Sequence, residues 1–127
     1  MEPSITPCRL QRSRRKGAKT PDGAIYVGRP TKWGNPFMAR RFGHMKSVRL
    51  HQRWLEGEIA ALTLERLGFS PSEIDTMARI RARVLEDITH LTGRQLVCWC
   101  PPSAPCHADT LMRMANRAAD EQSGVKA

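Results

Sequence analysis

The sequence predicts a small single α/β domain with a short parallel sheet, three or more helices and a Cys/His cluster near the C-terminal helix. Three observations carry this reading. Two β-prone runs, AIYVG from Ala24 to Gly28 and LVCW from Leu96 to Trp99, stand at either end of the patterned region. The long interval between them has helical spacing. Cys98, Cys100, Cys106 and His107 fall within ten positions, starting inside the second run. If the two strands share a sheet, a helical crossover makes them parallel, and ligands in such sheets gather beyond the strands' carboxyl ends.

A chain of 127 residues is long enough to bury one core of its own. Its 40% hydrophobic and 26% charged residues are ordinary for a soluble globular domain. No apolar stretch reaches membrane-spanning length and no secretory h-region is present, so a cytoplasmic protein with no membrane partner is expected. In that setting, clustered cysteines favour metal or thiol chemistry over disulfides. The formal charge of +9 and a pI near 10.3 point to polyanions, nucleic acid or a phosphorylated small molecule. Arg9, Arg12, Arg14, Arg15, Lys16 and Lys19 carry much of that charge with no acid between them. Residues 1–23 are therefore expected to form a basic, flexible arm, either binding phosphate or simply solvated. Residues 24–118 form the globular domain and 119–127 a polar tail.

The first strand, Ala24 to Gly28, leads into Arg29-Pro30-Thr31-Lys32-Trp33-Gly34-Asn35-Pro36-Phe37. As a ligand loop, Arg29 and Lys32 would hold a phosphate, Trp33 or Phe37 would stack on a base, and Asn35 would offer both donor and acceptor. The bland reading is that Trp33 and Phe37 plug the core while both cations are solvated. Ser47 is an N-cap candidate for a helix running to about Leu67, with Gly57 weakening it and Gly68 at its C′ position. Ser70-Pro71-Ser72-Glu73 has the form of a capping box with Pro at the first helical position, opening a second helix to about Leu91. His51 and Trp54 lie on the apolar side of the first helix and are read as core. A last helix follows from the spacing of Leu111, Met114, Ala115 and Ala118.

On a strand, Cys98 and Cys100 point to one face. The chain passes through Pro101, Pro102 and Pro105 and returns with Cys106 and His107 at the start of the last helix. Three readings compete. Three Cys and one His are an accepted zinc set, so Cys98, Cys100, Cys106 and His107 are the candidate ligands, with Cys8, His44, His51 or His90 available should adjacent Cys106 and His107 not both reach one metal. Alternatively, Cys106 at a helix N-terminus is a low-pKa thiolate with His107 as its base. The plain alternative is that these are reduced core cysteines in a proline-bounded turn. A deaminase-type site does not fit, because no second Cys follows three residues after Cys106.

The segments Arg29 to Phe37 and Leu96 to His107 resemble domain-of-unknown-function family 4326, a group of short bacterial and phage proteins. In its pattern, Arg-Pro-x-x-Trp-Gly-Asn-Pro-Phe follows a strand and Leu-x-Cys-Trp-Cys-x-Pro precedes Cys-His and a helix. The resemblance spans roughly residues 24–116. The segment between Cys100 and Cys106 is a residue longer than the pattern, and Ala108 stands where the pattern has Gly. The resemblance implies a phage or mobile-element setting and no settled activity.

The expectation is a small zinc-binding domain that holds a nucleotide or nucleic acid through Arg29, Lys32, Trp33 and Asn35, facing the Cys/His cluster across one site. An enzyme acting on a nucleotide or nucleobase, through zinc-bound water or a Cys106 thiolate, is the alternative. A protein-interaction module with a structural metal is the third.

Overall fold

The computed structural model describes residues 9–11, 23–99 and 106–122. Among these, three short strands form one sheet: β1 (Arg9–Gln11), β2 (Ile25–Tyr26) and β3 (Leu96–Cys98). Their order is β1-β3-β2, and both pairings are parallel, with Arg9 and Ile25 flanking Leu96 on either side. Leu96, Val97 and Cys98 are all buried, as a central parallel strand requires, because both of its faces are covered. The small α/β domain with a parallel sheet is thus the observed architecture.

β1 lies inside the stretch assigned from sequence to the flexible arm, and there the reading is corrected. Three residues, Arg-Leu-Gln, carry no β pattern of their own; pairing with β3 makes them a strand. Arg9, counted among the cations of that arm, has its side chain 6% exposed and forms an ion pair with Asp109 at 3.3 Å.

The chain crosses from β2 to β3 through α1 (Ala39–Phe42), α2 (His44–Leu55), α3 (Ala61–Arg66) and α4 (Pro71–Asp87). The single helix expected from Ser47 to Leu67 is two helices, and Ser47 lies inside α2. Gly57, at φ +81°, stops α2. Its N–H bonds the Trp54 carbonyl at 3.1 Å and the Glu58 N–H bonds that of Arg53 at 2.8 Å, the paired bonds of a Schellman ending. Arg81 of α4 strengthens the stop by donating to the Trp54 and Leu55 carbonyls at 2.8 and 3.0 Å.

α3 ends in the same way, with Gly68 at C′ as the sequence predicts. α4 begins with the expected capping box: the Ser70 N–H donates to Glu73 Oε1 at 2.7 Å, and the Glu73 N–H to Ser70 Oγ at 3.1 Å. One 3₁₀ turn, Ile88–Leu91, extends it to the predicted end. α5 runs His107–Gln122, opening four residues before the first apolar position of its stripe.

Phe37 is wholly buried and meets Phe42, Trp54 and Phe69 edge-on at centroid separations of 6.0, 6.1 and 5.7 Å. This aromatic knot, with Trp33, Leu91, Leu111 and Cys106, belongs to one buried cluster between the sheet and the helices. No helix among the described residues is long and apolar enough to cross a membrane.

Candidate ligand cleft and Cys/His cluster

Because β2 and β3 are parallel, the segments leaving their carboxyl ends meet at the same edge of the sheet. There a cleft of about 160 Å³ opens. Arg29 and Asn35 of the loop after β2 line one part of it, His44 and Ser47 of α2 another, and Cys98, Trp99 and His107 the rest. The two segments singled out from sequence therefore converge on one site.

The loop is held to this edge by its own polar groups. Asn35 Nδ2 donates to Ser47 Oγ at 2.9 Å and to the Ser47 carbonyl at 3.1 Å, while its Oδ1 accepts the Phe37 N–H at 2.8 Å. Ser47 Oγ in turn donates to the Phe37 carbonyl. Asn35 is thus a clamp on the loop as well as part of the cleft wall. Opposite, the Trp99 indole N–H donates to Tyr26 Oη at 3.0 Å, and Tyr26 Oη donates to the Arg29 carbonyl at 2.9 Å. Gly34 allows the loop to close on itself: a Cβ there would come within 2.6 Å of Arg29 Cγ and 3.1 Å of the Arg29 backbone.

The four loop residues divide. Arg29 is exposed at the cleft, and its guanidinium makes no ion pair or hydrogen bond among the described residues. Lys32 is turned to Asp87, with which it pairs, and its Nζ stands 4.9 Å from the centre of the Trp33 ring. Trp33 is 8% exposed and packs in the core. Neither Lys32 nor Trp33 lines the cleft, so the stacking role expected of Trp33 has no surface to act through. Phe37 also borders it but is wholly buried, and the exposed aromatic there is Trp99, 41% exposed. Sequence reasoning passes over Trp99 as strand filler; its signal is position, immediately beyond the last residue of a central parallel strand.

Three of the four predicted metal ligands come together, with Cys106 between the other two. Cys98 Sγ and Cys106 Sγ are 3.2 Å apart, and Cys106 Sγ is 3.4 Å from His107 Nδ1. Both thiols are buried and neither forms a disulfide. Cys100, the remaining candidate, and Cys8 lie outside the described residues. His107 Nε2 lies 2.7 Å from the Val27 carbonyl, which fixes the ring between the end of β2 and the cluster.

His51, placed in the core from sequence, packs edge-on to His107 at a ring separation of 5.4 Å. Its Nδ1 has no partner among the described residues, and burial, reinforced by His107, pushes its pKa down to about 3. The Cys106 thiol is pulled far below its ordinary range, first by the hydrogen bond with Cys98, then by His107 and the Ala108 backbone, against the opposing effect of burial.

The donor set has the chemistry for zinc. A carbonyl on Nε2 is the usual outer partner of a metal-ligating imidazole and leaves Nδ1 for the ion. Two thiolates on tetrahedral zinc, with Zn–S near 2.3 Å, would sit about 3.8 Å apart, so the 3.2 Å pair would have to spread. Among the described residues no group of three or more His, Cys, Asp or Glu is disposed to hold a metal ion.

A family model, Domain of unknown function (DUF4326), matches residues 10–117. The match begins in β1 and ends in α5, so it takes in residues 10 and 11 of the strand that the sequence alone places in the arm. No curated protein and no solved structure gave a match.

Proposed function

We propose, for a chain that belongs to the DUF4326 family, a nucleotide- or nucleic-acid-binding domain whose cleft receives one phosphorylated base beside a zinc site. The observation that supports this is the joint lining of one cleft by Arg29 and Asn35 from the first motif and Cys98, Trp99 and His107 from the second. Arg29 supplies an unpaired cation for phosphate, and Trp99 an exposed π-face for a base. At about 160 Å³ the cleft is smaller than most small-molecule sites, which run about 300–1,000 Å³. It suits a single base or phosphate group, with the rest of the ligand outside.

Cys98, Cys100, Cys106 and His107, the last through Nδ1, would hold the zinc. Bound there, the ion would supply a structural tie between the end of β3 and the start of α5. Elemental analysis of purified wild type and Cys98→Ser tests this half of the reading: near-stoichiometric zinc in the wild type alone is expected. A metal-free wild type that stays folded removes it.

The cleft is tested through tryptophan emission. Trp33 and Trp54 are buried, so a quench by added nucleoside monophosphates would report Trp99. We expect Trp99→Phe to abolish the signal and Arg29→Gln to weaken binding about tenfold, equivalent to about 1.4 kcal/mol. Absence of any quench at millimolar nucleotide would sink the proposal.

The enzyme reading rests on the acidified Cys106 thiol. Cys106 is wholly buried and does not line the cleft, so a substrate would reach it only after the cluster opened. Binding accounts for the geometry with fewer steps.

A further inference from the structure

The positive charge of this protein has a second concentration besides the arm. From Gly23 to Leu55 the sequence has seven Lys and Arg and no Asp or Glu. That stretch supplies β2, the ligand loop, α1 and α2, and so much of the cleft wall. Some of these cations are already engaged. Lys32 is paired with Asp87, and Arg53 approaches Glu58 at 3.5 Å. Arg41 donates to the Leu67 carbonyl at 2.8 Å and lies over Phe42 and Phe69. Arg29, Arg40, Lys46 and Arg49 remain exposed, with no ion pair among the described residues.

Their arrangement has a direction. Arg29 lines the cleft, and Arg40 follows Ala39, which also lines it. On α2, the cleft-lining His44, Ser47 and Val48 and the buried His51 and Leu55 occupy one side, while Lys46 and Arg49 lie three residues apart on the other. Adjacent cations on that outer face rise about 4.5 Å along the axis, a spacing suited to successive phosphates of a flexible strand.

We propose that the outer face of α2, with Arg40, carries the sugar-phosphate backbone of a single-stranded nucleic acid whose one unstacked base enters the cleft. This rests on the cleft reading and names its ligand as a polymer. A small cleft flanked by an exposed indole admits a base only from a strand that is free to splay it out. A lipid surface fits less well. Of the apolar residues of α2, Leu50, Trp54 and Leu55 are packed into the core and Val48 lines the cleft; Met45 is its one exposed apolar side chain, too little for a face that inserts.

The experiment is the salt dependence of binding of a dye-labelled 20-nucleotide single-stranded oligothymidylate, read by fluorescence anisotropy, to wild type and to Lys46→Gln/Arg49→Gln. Both positions are exposed, and an unchanged melting temperature checks that the double variant folds. We expect the log–log slope to fall by about 1.4, about 0.7 for each phosphate that is no longer neutralised, while quenching by thymidine monophosphate stays as in wild type. An unchanged slope overturns the proposal. So does equal loss of binding to phosphatidylserine vesicles by a protein that never bound the oligonucleotide. A reduced slope without any mononucleotide quench supports the phosphate track while removing the cleft as the base pocket, so the two readings fail separately.

Discussion

His107 Nε2 lies 2.7 Å from the carbonyl oxygen of Val27, across 80 positions of sequence. A carbonyl only accepts, so Nε2 carries the proton and Nδ1 is turned to the Cys106 sulfur. One hydrogen bond thus joins the end of β2 to the first turn of α5 and sets the ring nitrogen that the cluster uses. His107→Ala would leave a buried carbonyl without its donor. A loss of about 1–3 kcal/mol in urea unfolding is expected, and a change within experimental error would show the bond to be structurally idle.

Ser47 is the other joint of the cleft. Its hydroxyl donates to the Phe37 carbonyl and accepts from Asn35 at 2.9 Å. Ser47→Ala removes one atom yet strands a donor and an acceptor, so it should destabilise by about 1–3 kcal/mol. It should also weaken the proposed nucleotide binding, because the clamp on the loop slackens. Ser47→Cys, retaining a weak donor, should fall between the two in a thermal melt.

Gly57 terminates α2 in a left-handed conformation, where a Cβ would stand 3.1 Å from Arg81 Nη2. Gly57→Ala is expected to cost about 1–2 kcal/mol from backbone strain. Arg81→Ala should produce a loss of similar size by freeing two carbonyls at the end of α2. Additive losses in the double variant would show two separate devices; a smaller combined loss would show that the glycine's value lies in admitting the guanidinium.

The Lys32–Asp87 pair gives stability a pH dependence. The hydrogen bond from Lys32 holds the Asp87 carboxyl below its ordinary value of 3.8. A folded-state pKa lower than the unfolded one means that the unfolded chain takes up protons first as pH falls. The pair's contribution is therefore complete above the ordinary carboxylate range and is lost as the pH drops through 3.8 towards the lower folded value. Asp87→Asn should be less stable than wild type at neutral pH, and the gap should close by acid pH in parallel chemical denaturation series. A constant gap would mean that Asp87 is not ionised through Lys32.

What could be read from the sequence divides by the range of the forces involved. The capping box at Ser70 and Glu73, the stop at Gly68 and the burial of Leu96 to Cys98 are written in residues a few positions apart. The end of α2 is half legible, since Gly57 stands out as a weakness but the Arg81 that seals it is on another helix. β1 is not legible at all: Arg9 to Gln11 become a strand because β3 offers an edge, and Arg9 is buried because Asp109 awaits it. In the loop after β2, composition points to a segment that does border the cleft. Which side chains face the cleft depends on the fold around them, and Asp87 draws Lys32 aside while the core takes Trp33. Trp99 comes to the cleft by a mirrored accident of position, one residue past the central strand.

The order of strands has a consequence for biosynthesis. Both outer strands leave the ribosome before β3, the one that joins them, so neither has a hydrogen-bonding neighbour while most of the chain is being made. Translation must pass residue 98 before the sheet closes, and reach 107 before the imidazole can latch onto Val27. A nascent polypeptide stalled just after α4 would carry every helix of the crossover and still lack the cleft wall made by Cys98, Trp99 and His107.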